Sequence, residues 1–299
     1  MKEMEVEALF EQCSNWGRWG ENDELGTLNY ITQQKRVEAA KLVHSGRCVG
    51  IGRVAGEFRT DANPQPPVHR MLYVKDCYPA YVDSVEVAPH GWATTHIDAL
   101  GHFSFNGRMY NGRQCDEVVS NYGLNALSIA AQRHGVFTRG VLLDVARALK
   151  TPALAAGQGI TVANLEAAER LAGLTVSTGD AVFVRAGQPP SAHSDTSPQS
   201  EVSTAAGLLP ECIPWLHERQ VAVYSGDCQE VRPSGYERVP EPLHQVGLVS
   251  MGLCILDVPD VEALAAAAAT ENRSEFLLTV APVPFPRATG MPVNPLCIF

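Results

Sequence analysis

Short apolar runs recur along the chain, too brief for helices and rich in β-branched residues. RGVLLDVA (139–146), DAVFVRA (180–186) and QVAVYSG (220–226) have the form of buried strands. RCVGIGRV (47–54) and SVEVA (84–88) add short alternation, and EFLLTVAPV (275–283) supplies a late strand. Between these runs the apolar spacing switches to the helical period. QQKRVEAAKLVHSG (33–46) predicts a helix closed by Gly46. TVANLEAAERLAGL (161–174) predicts another, with Thr161 as its N-cap. ECIPWLHER (211–219) and VPDVEALAAAAAT (258–270) follow, the latter with Pro259 near its start. Helices and strands alternate in the second half, while the first half is richer in strands and loops. A mixed α/β (α+β) layered fold is expected. No repeat and no low-complexity linker interrupts residues 1–299, so one domain is expected. The loose stretch AGQPPSAHSDTSPQSEVSTAAG (186–207) reads as a lid or a mobile loop.

Composition narrows the class. At 299 residues, with 45% hydrophobic and 19% charged positions, the chain can bury a large core. A net charge of −10 and no basic run argue against nucleic acid or an anionic membrane as partner. No apolar stretch approaches the length of a bilayer span. The opening MKEMEVEALFEQ is acidic, unlike a secretory leader, so a cytoplasmic location is expected. The eight cysteines form no CxxC pair and are expected to be free thiols.

One segment departs from ordinary core-and-surface patterning. HGWATTHIDALGHF (90–103) holds three of the nine histidines and an aspartate. The β-branched TTHI favours an extended backbone, and in a strand residues i and i+2 share a face. His96 and Asp98 then converge, whereas in a helix they would diverge by about 200°. Gly101 lets the chain turn and return His102 to the same region. An imidazole nitrogen and a carboxylate oxygen so placed suit Zn²⁺ or Mn²⁺. The pattern alone decides little, because His193-Ser194-Asp195 repeats the spacing in a loop that reads as solvated surface. Read from residues alone, metal binding and polar packing stand about even.

The segment HGWATTHIDALGHF…GRMYNG resembles the metal-dependent cyclase family, which includes bacterial kynurenine formamidase and isatin hydrolase. The family signature is H-x-G-T-H-x-D-x-P-x-H. Thr95-His96-Ile97-Asp98 and His102 match its T-H-x-D and final His. NWGRWGENDELGTLNYIT (15–32), GDAVFVRAG (179–187), GLLPECIPWLHERQVAVYSGD (207–227) and PLHQVGLVSMGLCILDVPDVEALA (242–265) resemble its longer branch. The resemblance implies a swivelling β/β/α fold with a partly closed barrel, and a homodimer or homotetramer. It assigns His96, Asp98, the distant His244 and Asp257 as ligands to a divalent metal, Zn or Mn, and His102 as general acid/base. Asp257 stands where the formamidases have glutamate. Trp92 occupies the position of the first motif histidine, and His90, two residues earlier, substitutes if Gly91 allows the backbone to bulge. Leu100 replaces the motif proline.

Hydrolysis of an amide, cyclic imide or lactone of a small, cyclic or aromatic substrate is the leading expectation. A cyclisation or dehydration of a polyketide-like chain and a non-catalytic metal-binding role are the alternatives. No G-x-S-x-G, Walker or H-E-x-x-H motif is present. Asp227 is weighed as a site residue or a turn cap. Trp16, Trp19, Trp92, Phe103 and Phe105 are weighed as pocket walls or core. His44, His69, His134 and His217 read as surface or satisfied polar residues.

Overall fold

A computed structural model describes residues 1–53, 56, 58–59, 63–72, 80–187 and 204–299. Nine strands form one sheet: Cys48–Gly50 (β1), His96–Asp98 (β2), Val136–Asp144 (β3), Ala181–Arg185 (β4), Val223–Gly226 (β5), Cys254–Asp257 (β6), Glu275–Val280 (β7), Gly290–Pro292 (β8) and Leu296–Ile298 (β9). Their spatial order is β1-β9-β7-β3-β4-β5-β6-β2-β8. Strands β3 to β6 run parallel. Every other pairing within this sheet is antiparallel.

This order forces the sheet to curl. Strands β8 and β9 stand seven places apart in the sheet, yet only residues 293–295 join them. In a flat sheet the gap would be roughly 34 Å, since neighbouring strands lie about 4.8 Å apart. The short connection spans at most about 14 Å. The two rims therefore meet, and side chains stitch the seam. Asn294 Oδ1 accepts from Gly52 N at 3.0 Å, and Thr95 Oγ1 accepts from Arg53 N at 2.7 Å. The partly closed barrel expected of the family is the observed fold.

Alternation along the strands divides the core between the two sheet faces. Val141, Leu143, Val182, Val184 and Ile255 join one buried cluster. Leu142, Ala181, Phe183, Val223 and Leu256 join the other. Each fully buried aliphatic side chain contributes about 1.5–3 kcal/mol through loss of apolar surface to water.

The longer helices are α1 (Glu3–Gln12), α2 (Gln33–Ala40), α3 (Val162–Ala172), α4 (Cys212–Glu218), α5 (Pro242–His244, continuing as a π-turn over Gln245–Met251) and α6 (Val261–Glu271); shorter turns of helix lie between them. Thr161 caps α3 as expected, in a reciprocal box with Asn164. Helix α2 ends earlier than its period suggests, with Lys41 as C-cap. Ser45 and Gly46 instead donate to the Phe299 carbonyl, which draws the chain off the helical path. The 84–88 run forms Val82–Glu86, which pairs with Val68–Leu72 outside the main sheet.

Among the described residues no helix is long and apolar enough to cross a membrane, and the described cysteines are free thiols. Residues 188–203, with His193 and Asp195, lie outside the described residues, as does Cys77.

Candidate metal centre

Strand β2 sets the geometry of the centre. Ile97 points into one core cluster, so His96 and Asp98 share the opposite face. The antiparallel register with β6 places Asp257 directly across from His96. On the other side β8 places Gly290 across from Asp98. A Cβ on Gly290 would lie 2.7 Å from Cε1 of His90, so glycine makes room for that ring. Gly91 has φ +117°, a conformation in which an L side chain is strained, and this bend brings His90 inward. Gly101 serves differently from expectation: its φ is not positive, but a Cβ there would meet Leu124 at 2.5 Å.

Two triads result, His90/Asp98/His102 and His96/Asp98/Asp257. The candidate ligand atoms within each lie within 4.8 Å of one another. Asp98 belongs to both. His90 Nδ1 is 3.2 Å and His96 Nε2 is 3.6 Å from Asp98 Oδ1, and His96 Nε2 is 3.9 Å from Asp257 Oδ2. His102 stacks on His90 with centroids 3.6 Å apart and rings 8° from parallel. Five residues assigned from sequence thus converge.

The polar inventory of this cluster fits a cation. Asp98 is fully buried, and neither carboxylate oxygen accepts a hydrogen bond. The His90 contact has an ion-pair distance but not hydrogen-bond alignment, and His90 Nδ1 is likewise left without a hydrogen bond. Buried polar atoms rarely stay unsatisfied. The candidate ligand atoms gathered there are imidazole nitrogens and carboxylate oxygens, a donor set suited to first-row divalent ions. Outer contacts also orient the donors. His96 Nδ1 lies 2.9 Å from the Thr94 carbonyl, which can only accept, so the Nδ1 proton is fixed and Nε2 faces the cluster. His90 Nε2 meets Thr289 Oγ1 at 2.9 Å, which directs Nδ1 toward Asp98.

Electrostatics follow from crowding. Burial opposes ionisation of Asp98, but the His90, His102 and His96 imidazoles outweigh it and hold the carboxyl below its ordinary value. Burial pushes the His102 imidazole down to about 4; Asp98 opposes this, while His90, His244 and His96 add to it.

His244 lies beside the two triads rather than within either. Its Nε2 is 3.2 Å from Asp257 Oδ2, while Nδ1 faces both oxygens of Glu230 at 3.0 and 3.2 Å. Burial disfavours charge on His244, but Glu230 and Asp257 outweigh it and raise its pKa well above that of an ordinary imidazole. Gln229 Nε2 donates to Asp257 Oδ1 at 3.1 Å.

Glu230 and Gln229 escaped the sequence reading. Their one available signal is position, just beyond the carboxyl end of a parallel strand, where α/β sites gather. Asp227, in the same segment, accepts from Ala186 N–H at 2.7 Å, a contact to the end of neighbouring β4 rather than within its own turn. Trp92 packs beneath Arg232, whose guanidinium lies 4.3 Å from the ring centroid. A cleft beside His90 is lined by Asn63, Gln65, Gly91, Trp92 and Thr94. Phe103 abuts both His102 and His244.

The other aromatic candidates pack elsewhere: Phe105 stacks on Phe10 and Trp19 meets Tyr30 edge-on. His69 pairs with Asp83 at the surface, and His217 contacts Asn15.

A curled mixed sheet that gathers histidines and carboxylates at the carboxyl ends of its parallel strands defines an α/β protein with a candidate metal centre. The chain belongs to the cyclase family: the family described as "Putative cyclase" matches residues 29–232. A crystal structure described as a novel cyclase superposes with a TM-score of 0.81 at 28% identity, covering 96% of this chain and 99% of its own. Isatin hydrolase A from Labrenzia aggregata, bound to benzyl benzoate, gives a TM-score of 0.60 at 16% identity, covering 86% and 94%. An isatin hydrolase bound to the product analogue thioisatinate gives 0.57 at 16%, covering 89% and 98%. At that identity these two hydrolases share the fold. No protein of curated function matches the sequence.

Proposed function

We propose that the protein is a metal-dependent hydrolase that opens an amide, a cyclic imide or a lactone, with His102 as general acid and base. The observation that carries this reading is the buried Asp98 carboxylate, which has no hydrogen bond and lies among imidazoles. His96, Asp98, His90 and Asp257 would hold the ion, with His244 joining through Asp257. A divalent cation there supplies Lewis acidity toward water and a carbonyl group.

The chain's own residues do the rest. Thr94 and Thr289 orient the two imidazoles. His102, stacked on His90 and flanked by Phe103, would take a proton from the attacking water and return it to the leaving nitrogen or oxygen. Trp92 beside the cleft supports a flat, ring-containing substrate.

The test is metal analysis of protein purified without added metal, then chelation and readdition of Zn²⁺ or Mn²⁺ in an assay on N-formyl amides, cyclic imides and lactones. Metal-restored hydrolysis is expected: cyclic imides and lactones give a ring-opened product heavier by one water, and N-formyl amides release formate and an amine. Product lighter by one water would replace this reading with dehydrative cyclisation, and no metal uptake would end it. Within this reading, His102→Ala lowers turnover by about 10²–10⁴ while metal content stays near wild type. Full activity in that variant would remove His102 from its role.

A further inference from the structure

We propose that Glu230 is a positioning residue that keeps the proton on His244 Nδ1, fixes the ring, and so presents Nε2 to the Asp257 side of the metal centre. The inference rests on the functional reading above only for what Nε2 finally meets. The placement of Glu230 stands on the structure alone.

Glu230 is 2% exposed and sends both carboxylate oxygens to His244 Nδ1, at 3.0 and 3.2 Å. One of them also lies 3.4 Å from the His244 backbone N–H, so side chain and helix start are held together. An ionised carboxylate only accepts hydrogen bonds, so the Nδ1 that faces it must carry hydrogen. The far nitrogen is thereby directed to Asp257, 3.2 Å away. A carboxylate behind a ligating imidazole orients the ring and raises its basicity.

The segment that carries Glu230 is tied to its neighbour by backbone hydrogen bonds on both sides of it. Leu208 N–H donates to Gln229 O at 2.7 Å, and Val231 N–H donates to Leu208 O at 3.1 Å. A Cβ on Gly207 would sit 2.3 Å from the Glu230 carbonyl carbon, so the two backbones are in close contact. Arg232 supplies the compensating charge: its Nη2 is 3.6 Å from Glu230 Oε1 and 3.0 Å from Glu241 Oε1. The same guanidinium covers Trp92 beside the cleft. A buried carboxylate so compensated, and aimed at the ring nitrogen away from the centre, is placed to orient.

Two variants separate orientation from simple capping. Glu230→Gln keeps size and can still accept from the His244 backbone, but its amide can donate to Nδ1. Glu230→Asp keeps the charge and withdraws it by one methylene. The readouts are imidazole ¹H–¹⁵N spectra of histidine-labelled protein without added metal, assigned with His244→Gln, and Zn²⁺ affinity by competition with a chelating dye.

Wild type should show a downfield, hydrogen-bonded Nδ1 proton on His244, which Glu230→Gln loses. Zn²⁺ affinity should fall about 10–100-fold in that variant. Glu230→Asp should weaken Zn²⁺ binding with the Nδ1 proton retained. If Glu230→Gln does not fold, Glu230→Asp decides alone. An unchanged His244 spectrum together with Zn²⁺ affinity within twofold of wild type overturns the proposal. Wild-type protein that shows the Nδ1 proton but takes up no Zn²⁺ overturns the functional reading and leaves the orientation of His244 by Glu230 standing.

Discussion

Asp98 carries two lone-pair-rich oxygens into the interior and gives them no hydrogen-bond donor. Asp98→Asn preserves its volume and removes its charge. Ligand binding to the folded state alone adds RT ln(1 + [L]/Kd), about 2.7 kcal/mol at a hundredfold excess over Kd. Thermal melts with and without Zn²⁺ should therefore separate in wild type and coincide in Asp98→Asn. Equal zinc shifts in both would move the ion elsewhere. Gly290 offers a second probe at this scale, because a methyl group there meets the His90 ring first and the Ile97 carbonyl oxygen next. Gly290→Ala should weaken Zn²⁺ binding by about tenfold, the lower end of the range for disturbed ligand shells, with the circular dichroism spectrum retained. Unchanged binding would exclude His90 as a ligand.

At the scale of elements, local signals and long-range ones part company. Helix α3 was legible because its cap, its period and its closing glycine lie within one stretch. Thr161→Ala removes one side of that box and should lower stability by about 1 kcal/mol, read from urea denaturation. The His96-x-Asp98 pair was legible for the same reason, since a strand's two-residue period is a local property. Strands β8 and β9 were not, because Pro292 and Pro295 break up the stretch that carries them and read as loop. Helix α1 was missed as a helix because its core-facing Val6, Leu9 and Phe10 are interspersed with four glutamates. Glu230 was invisible because nothing in GDCQEVRP marks which carboxylate will meet a histidine fourteen positions later. The convergence of Asp257 with His96 depends on strand register, and the family resemblance supplied it rather than any local pattern.

At the scale of the whole molecule, buried thiols tie stability to alkaline pH. Cys13 and Cys212 are fully buried, and burial first, then Glu218 or Glu211, pushes each thiol up to about 12 from an ordinary 9.0. The unfolded chain releases these protons near pH 9 while the folded protein retains them. Their stabilising contribution is whole below pH 9 and is lost as pH rises toward 12. Urea midpoints should fall between pH 9 and 11, and the fall should be shallower in the Cys13→Ala/Cys212→Ala double variant. Identical slopes would assign the alkaline loss to other groups. Cys48, exposed at the sheet rim, should react with a bulky maleimide before Cys13 and Cys212.

The three-residue bridge between β8 and β9 has a consequence for how the polypeptide matures. In vectorial synthesis these two strands leave the ribosome after the other seven, and each docks on an opposite rim. Until they do, β1 has no partner and β2 has only one. Nascent chains arrested before residue 290 should therefore expose an open, sticky edge, vulnerable to proteolysis and attractive to chaperones, and Gly290 and Thr289 would not yet be in place to seat His90.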